Sequence, residues 1–280
     1  MAVQVEIKQK GLVKKTWTID EIIFDSIGYG VMDKTFRLEE GATGDVMVLY
    51  FLNNIQRGFE VTFAKGSITL RMALPSSNEE IKAFYAFVKH LCGLMKTDTF
   101  VRDGEVLGFD RIDECIRLDI DASVAALQNM RKALNENNYE SLFIFGAINP
   151  IYISEEDFKE FNGNLDRFGD YLHKLQSMDV YYAAPHLFEK EDKTIFGLYP
   201  LTEEIATVLP RKPHIFSNDI KVEEWYVALK LDTEEPMAVD YETFCQNTDT
   251  TRKYDSGHFI VRLMPDQIEE LAEKYGERIH

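Results

Sequence analysis

GFEVTFAKGSITLRM, residues 58–72, places an apolar residue at every second position on both sides of Lys65-Gly66. With Lys65-Gly66 as a two-residue turn, Phe63 faces Ile68, Val61 faces Leu70 and Phe59 faces Met72 on one side of a hairpin. Thr62 then faces Thr69 and Glu60 faces Arg71 on the other. A single register thus yields an apolar face and a polar face with a hydroxyl pair and an opposite-charge pair, as a half-buried antiparallel hairpin requires. The N-terminal MAVQVEIKQKG alternates in the same way through Val3, Val5 and Ile7 and reads as a first strand, without the apolar core of a signal peptide.

Helices are marked by their starts. Thr18-Ile19-Asp20-Glu21 and Ser77-Asn78-Glu79-Glu80 both fit capping boxes, in which hydroxyl and carboxylate reach the free N–H groups of a first turn. The first predicts a short helix to about Ile27, closed by Gly28. The second opens the best amphipathic pattern in the chain, with Ile81, Phe84, Val88, Leu91 and Met95 at helical spacing. Strands are expected near 35–38 and 46–52, a hairpin around Asp103-Gly104, and a helix over 122–134. The later part alternates again. Strands are expected at 142–148, 180–188, 194–199, 223–231 and 258–264, with helices near 155–161, 165–177 and 266–275.

Hairpins followed by helices define the class as α+β, with largely antiparallel sheets and helices packed on one face. The polar run NENNYE (135–140) suggests a boundary between halves at 1–137 and 138–280, although one continuous domain also fits. Four stretches, 68–81, 142–158, 194–205 and 259–271, each read apolar strand, proline, paired acids, apolar helix. Junction chemistry accounts for that likeness, and duplication into two similar halves is the other explanation.

The chain has 280 residues, enough for about two domains, with 48 acids against 31 bases and a formal net charge of −17. That excess repels nucleic acid phosphates and anionic lipid. Lys8, Lys10, Lys14 and Lys15 form the one basic stripe and read as a solvated face. The longest apolar run, Val46–Leu52, is far below the roughly 20 residues of a membrane helix. Cys92, Cys115 and Cys245 are widely spaced and odd in number, which reads as reduced thiols of a cytoplasmic protein.

No zinc spacing, phosphate-binding glycine loop or hydrolase elbow occurs, and no cofactor is expected. Asn162, Asn164 and Asp166 imitate the start of a calcium loop, but Arg167 and His173 occupy the positions that need glycine and glutamate. Asp255-Ser256-Gly257-His258 brings three residue types of a triad together in sequence only, and Asp-Ser-Gly reads as a turn. The aromatic strands of 181–200 are the remaining candidate site, with Tyr181, Tyr182, His186 and Tyr199, joined by Arg211 in a loop that suits an acidic partner.

VEIKQKGLVKKTWTIDEI and RGFEVTFAKGSITLRMALPSS resemble a bacterial family known as a domain of unknown function, of similar length. The resemblance implies a cytoplasmic bacterial protein and transfers no active residues. Two functional readings stand. One is a non-enzymatic acidic interaction or accessory module that meets a basic protein partner through its aromatic strands. The other is an enzyme using dispersed carboxylates among Asp110, Asp113, Glu114, Asp119 and Asp121, with His186 or His258 as base.

Overall fold

The computed structural model describes residues 1–216, 220–230 and 237–278. Two compact units divide the chain, Met1–Ser177 and Met178–His280.

In the first unit β1 (Ala2–Lys8), β2 (Ile27–Met32), β3 (Leu38–Glu40), β4 (Met47–Phe51), β5 (Asn54–Ala64) and β6 (Ser67–Ala73) precede α1 (Asn78–Leu94). The hairpin β7 (Thr99–Arg102) and β8 (Glu105–Gly108) leads to α2 (Ile112–Glu136), and the small hairpin β9 (Leu142–Phe145) and β10 (Pro150–Ile153) to α3 (Glu155–Phe161) and α4 (Leu165–Gln176). The main sheet has eight strands in the order β3-β2-β4-β5-β6-β1-β7-β8, antiparallel throughout. β5 and β6 pair in the register read from the sequence, Phe59 with Met72 through Phe63 with Ile68, and Gly66 takes the left-handed conformation of the turn. The apolar face of this hairpin, with Val3, Val5 and Ile7 of β1, packs under Ile81, Phe84, Val88 and Leu91 of α1. Phe59 meets the rings of Phe84 and Phe87, each at 5.4 Å between centroids. Edge and tilted ring contacts of this kind add to area burial, so truncating the fully buried Phe84 to alanine is expected to cost about 3–5 kcal/mol.

Four expectations change. Thr18 opens a single 3-10 turn, Ile19–Glu21, and Gly28 lies inside strand β2, not at a helix end. The ring of Tyr50 on the neighbouring strand occupies the place a Gly28 side chain would fill, so the glycine answers packing. α2 starts well before residue 122. The division between units falls at Ser177, beyond the connector at 135–140, because residues after it bond to β5: Ala147 N–H donates to the Gln56 carbonyl at 2.9 Å and Ile55 N–H to Nδ1 of His173 at 3.0 Å. Finally, the four similar stretches diverge. Pro75 and Pro265 stand where a strand gives way to a helix, but Pro150 begins β10 and Pro200 lies within a strand with no helix after it.

The second unit contains β11 (Tyr181–Tyr182), β12 (His186–Glu189), β13 (Ile195–Thr202), β14 (Thr207–Pro210), β15 (Glu224–Lys230), β16 (Met237–Asp240), α5 (Tyr241–Asn247), β17 (His258–Val261), α6 (Pro265–Tyr275) and β18 (Glu277–Arg278). Its sheets run β12-β13-β15-β16-β18 and β11-β14-β17, antiparallel except where β13 meets β15 and β11 meets β14. Tyr199, Val227, Val239, Phe244, Phe259 and Ile268 form its core. With mostly antiparallel sheets and six helices among the described residues, the chain is α+β.

Candidate functional site

A cavity of the first unit begins at an interruption in β5. Leu49 pairs with Phe59 but Phe51 pairs with Asn54, so residues 55–58 stand opposite Tyr50 alone. Such a bulge needs a residue free to leave extended geometry, and Gly58 has φ +66°. A side chain there would come within 2.5 Å of the Leu49 carbonyl oxygen. Two of the backbone N–H groups freed from the ladder share one acceptor: those of Arg57 and Gly58 donate to Oε1 of Glu80 at 2.9 and 2.7 Å.

Glu80 belongs to the capping motif read from the sequence, but only half of that motif forms. Ser77 accepts the Glu80 N–H at 3.2 Å, while the Glu80 carboxylate turns away to the bulge. It rides the buried stripe of α1 because it precedes Phe84 by one helical repeat. Burial pushes its pKa above the ordinary carboxylate value, against the pull of the Gly58 N–H and the Arg57 charge. Its Oε2 has no hydrogen-bond partner among the described residues.

Held in this way, Arg57 lies only 9% exposed and spends two of its five N–H groups on neutral acceptors. Nε donates to the Phe145 carbonyl at 3.0 Å and Nη1 to the Pro75 carbonyl at 3.1 Å. No carboxylate forms an ion pair with it among the described residues. Burial lowers its pKa to about 10, with Glu80 opposing and Arg71 reinforcing the fall, so it stays protonated at neutral pH. Arg57 lines a cavity of about 630 Å³ on the sheet face opposite α1. The polar face of the opening hairpin forms part of its wall through Glu60 and Arg71, which pair at 2.7 Å.

Two loops complete the wall. Asp33 ties one of them, accepting from the Thr35 N–H at 2.7 Å and the Arg37 N–H at 3.0 Å, while the Arg37 guanidinium closes on its other oxygen at 3.0 Å. Burial alone would raise the Asp33 pKa, but these donors outweigh it and hold the carboxyl below its usual value. The loop presents Phe36 at φ +61°, an uncommon conformation for a bulky residue, and local strain of this kind concentrates at functional sites. The Phe36 ring packs on Phe145 at 4.9 Å. Buried Gln176 shapes the second loop by accepting the N–H groups of Ile148 and Asn149 at 2.7 and 2.8 Å and donating to the Asn149 carbonyl at 2.9 Å. The cavity therefore combines apolar walls with one buried cation that has donors to spare, an arrangement that binds anions.

The residues singled out by sequence fall elsewhere. In the second unit Tyr181 and Tyr182 lie on β11, His186 on β12, Tyr199 on β13 and Arg211 just after β14, so they are spread over two sheets. Tyr181, His186 and Arg211 are exposed. Tyr182 and Tyr199 are buried: Tyr182 meets Nε2 of His258 at 2.8 Å, and Tyr199 donates to the His214 carbonyl at 2.9 Å. The turn at Asp255 carries more than expected, since Oδ1 bonds both the Gly257 N–H and Nδ1 of His258 at 2.8 Å. Asp255, His258 and Tyr182 thus form a buried polar chain of the kind that rigidifies a core.

In the first unit, Asp110, Asp113 and Asp121 are exposed, Glu114 pairs with Arg111 at 2.6 Å, and Asp119 is buried with Tyr85 at 2.6 Å and Arg102. Lys8, Lys10 and Lys15 are ion-paired within the chain, and Lys14 donates to the Gln9 carbonyl. Asn164 caps α4 by accepting the N–H groups of Asp166 and Arg167. The described residues hold no cluster of three metal-ligating side chains and no helix long and apolar enough to cross a membrane.

Fold and site together define an α+β protein with an arginine-lined cavity under its main sheet. The chain belongs to the family described as "Domain of unknown function (DUF4299)", which it matches over residues 2–271. No curated protein and no solved structure matches it.

Proposed function

We propose that the chain is a non-enzymatic binding module and that the Arg57 cavity is its binding site. One observation carries this reading: an arginine nine-tenths buried, without a carboxylate partner among the described residues, lines a cavity of ligand size. Burying a cation is expensive unless something compensates it, and two carbonyls compensate only in part. Ligand-observed NMR on the full chain tests the reading. Small organic fragments are expected to give saturation transfer that is reduced in an Ala73→Trp variant, whose indole takes up part of the cavity. Fragment binding indifferent to that substitution refutes it.

A second reading, an acidic module for a basic protein partner, draws support from β12. That strand ends its sheet order, and all four residues, His186, Leu187, Phe188 and Glu189, are exposed. An exposed edge of this kind accepts an added strand. The net charge of −17 favours a basic one. Replacing Phe188 by aspartate would abolish capture of such a partner without unfolding the unit; unchanged capture would remove β12 from consideration. A reducing, cytoplasmic setting fits both readings, since Cys92, Cys115 and Cys245 are unpaired and burial pushes the Cys92 and Cys245 thiols up to about 11.

A further inference from the structure

We propose that the ligand of the Arg57 cavity is an organic monocarboxylate with an apolar body, its carboxylate held by the outer N–H groups of the Arg57 guanidinium. This rests on the cavity being the binding site.

The head group follows from the donors. With Nε given to Phe145 and one Nη1 hydrogen to Pro75, both Nη2 hydrogens and one on Nη1 have no partner among the described residues. These donors lie in one plane at a fixed spacing, which suits the two oxygens of a carboxylate. A neutral ligand would leave the buried charge compensated only in part, by two carbonyls and the neighbouring Glu80.

The count of charge follows from the wall. Arg71 is already paired with Glu60, and Asp45 adds a further negative charge at the rim. With Glu60 and Arg71 neutralising each other, the charged side chains left on the wall are buried Arg57 and exposed Asp45, so there is one cation to receive a ligand charge and none for a second. A phosphate monoester brings about −1.5 to −2 at neutral pH, so its second charge would find no cation of its own and would meet Asp45 unfavourably. A single negative charge is matched.

The body follows from the remaining surface. Phe36, Phe145, Val31, Val46 and Val48 line the cavity with rings and branched aliphatic residues, and about 630 Å³ accommodates an aliphatic chain or a fused aromatic system.

Isothermal titration of the full chain at pH 7.5 with decanoate, 2-naphthoate, decanol and decyl phosphate tests the inference. At least one carboxylate is expected to bind one to one, decanol and decyl phosphate at least about tenfold more weakly. Arg57→Met should weaken the carboxylate at least tenfold, and Arg57→Lys, which keeps charge but loses the planar fork, by a smaller factor. The head-group comparison on the unaltered protein stands even if either variant folds poorly. Decanol or decyl phosphate binding as tightly as the carboxylates, in a manner weakened in Ala73→Trp, overturns the carboxylate assignment and leaves the cavity as a binding site. Binding by none of the four, or binding that Ala73→Trp does not affect, overturns both.

Discussion

Replacing Glu80 by alanine and by glutamine separates what its oxygen does from what its charge does. Alanine leaves the buried N–H groups of Arg57 and Gly58, now 2.9 and 2.7 Å from Oε1, without an acceptor. A buried donor stripped of its partner costs about 1–3 kcal/mol, so two set an upper range of about 2–6 kcal/mol. Part returns because a carboxylate held in a buried place, its pKa raised by that burial, is itself costly. The expected net loss is about 2–4 kcal/mol. Glutamine keeps an oxygen for both donors and sheds the charge, so it should stay within about 1 kcal/mol of the parent.

The pH dependence carries a definite sign. A carboxyl whose folded pKa lies above its ordinary 4.5 contributes stability that is complete below 4.5 and is lost as pH rises through the folded value. The parent protein should therefore lose ground against Glu80→Gln between pH 4 and pH 8. The assay uses the tryptophans, since Trp17 lies in the first unit and Trp225 in the second. In a Trp225→Phe background, Trp17 emission reports urea unfolding of the first unit alone. A loss of about 3 kcal/mol moves its midpoint by about 1–1.5 M. A midpoint for Glu80→Ala within about 0.2 M of the parent would refute the reasoning. So would a glutamine variant as damaged as the alanine one at every pH.

Gly58→Ala should cost more than about 2 kcal/mol in the same assay, because left-handed backbone costs a side chain about 1–2 kcal/mol and the Leu49 carbonyl blocks it at 2.5 Å. Tyr182→Phe removes the 2.8 Å hydrogen bond to His258 and should lower the stability of the second unit by about 1–2 kcal/mol, read from Trp225 emission. Tyr181→Ala, at an exposed position, should change it by less than about 0.5 kcal/mol. Asp33→Ala should loosen the loop that carries Phe36 and weaken ligand binding measured by titration. The folded pKa of Asp33 is depressed, so the stability that separates parent from Asp33→Ala should be present above pH 3.8 and vanish as pH falls through the folded value.

What the sequence disclosed about this fold was whatever two independent local signals agreed on. At 58–72 the period of two and the Lys65-Gly66 turn demand the same register, and that register forms. At Gly28 one signal stood alone, a glycine after a capping motif, and the bulk of Tyr50 across the strand decided instead. β14 and β16, four residues each in TVLP and MAVD, carry too few alternations to show a period at all.

The candidate site had the weakest local signal, because its parts are far apart in sequence: Arg57 is fixed by carbonyls from residues 75 and 145 and a carboxylate from residue 80. Two traces were nonetheless present. A glycine opening the longest alternating run marks a bulge or a close backbone approach, and a glutamate one helical repeat before Phe84 is aimed at the core. A buried acid on a helix needs donors, and a bulge releases them, so the pair Gly58 and Glu80 implies its own contact. Arg57 then follows as the side chain which that contact holds in place beside the cavity.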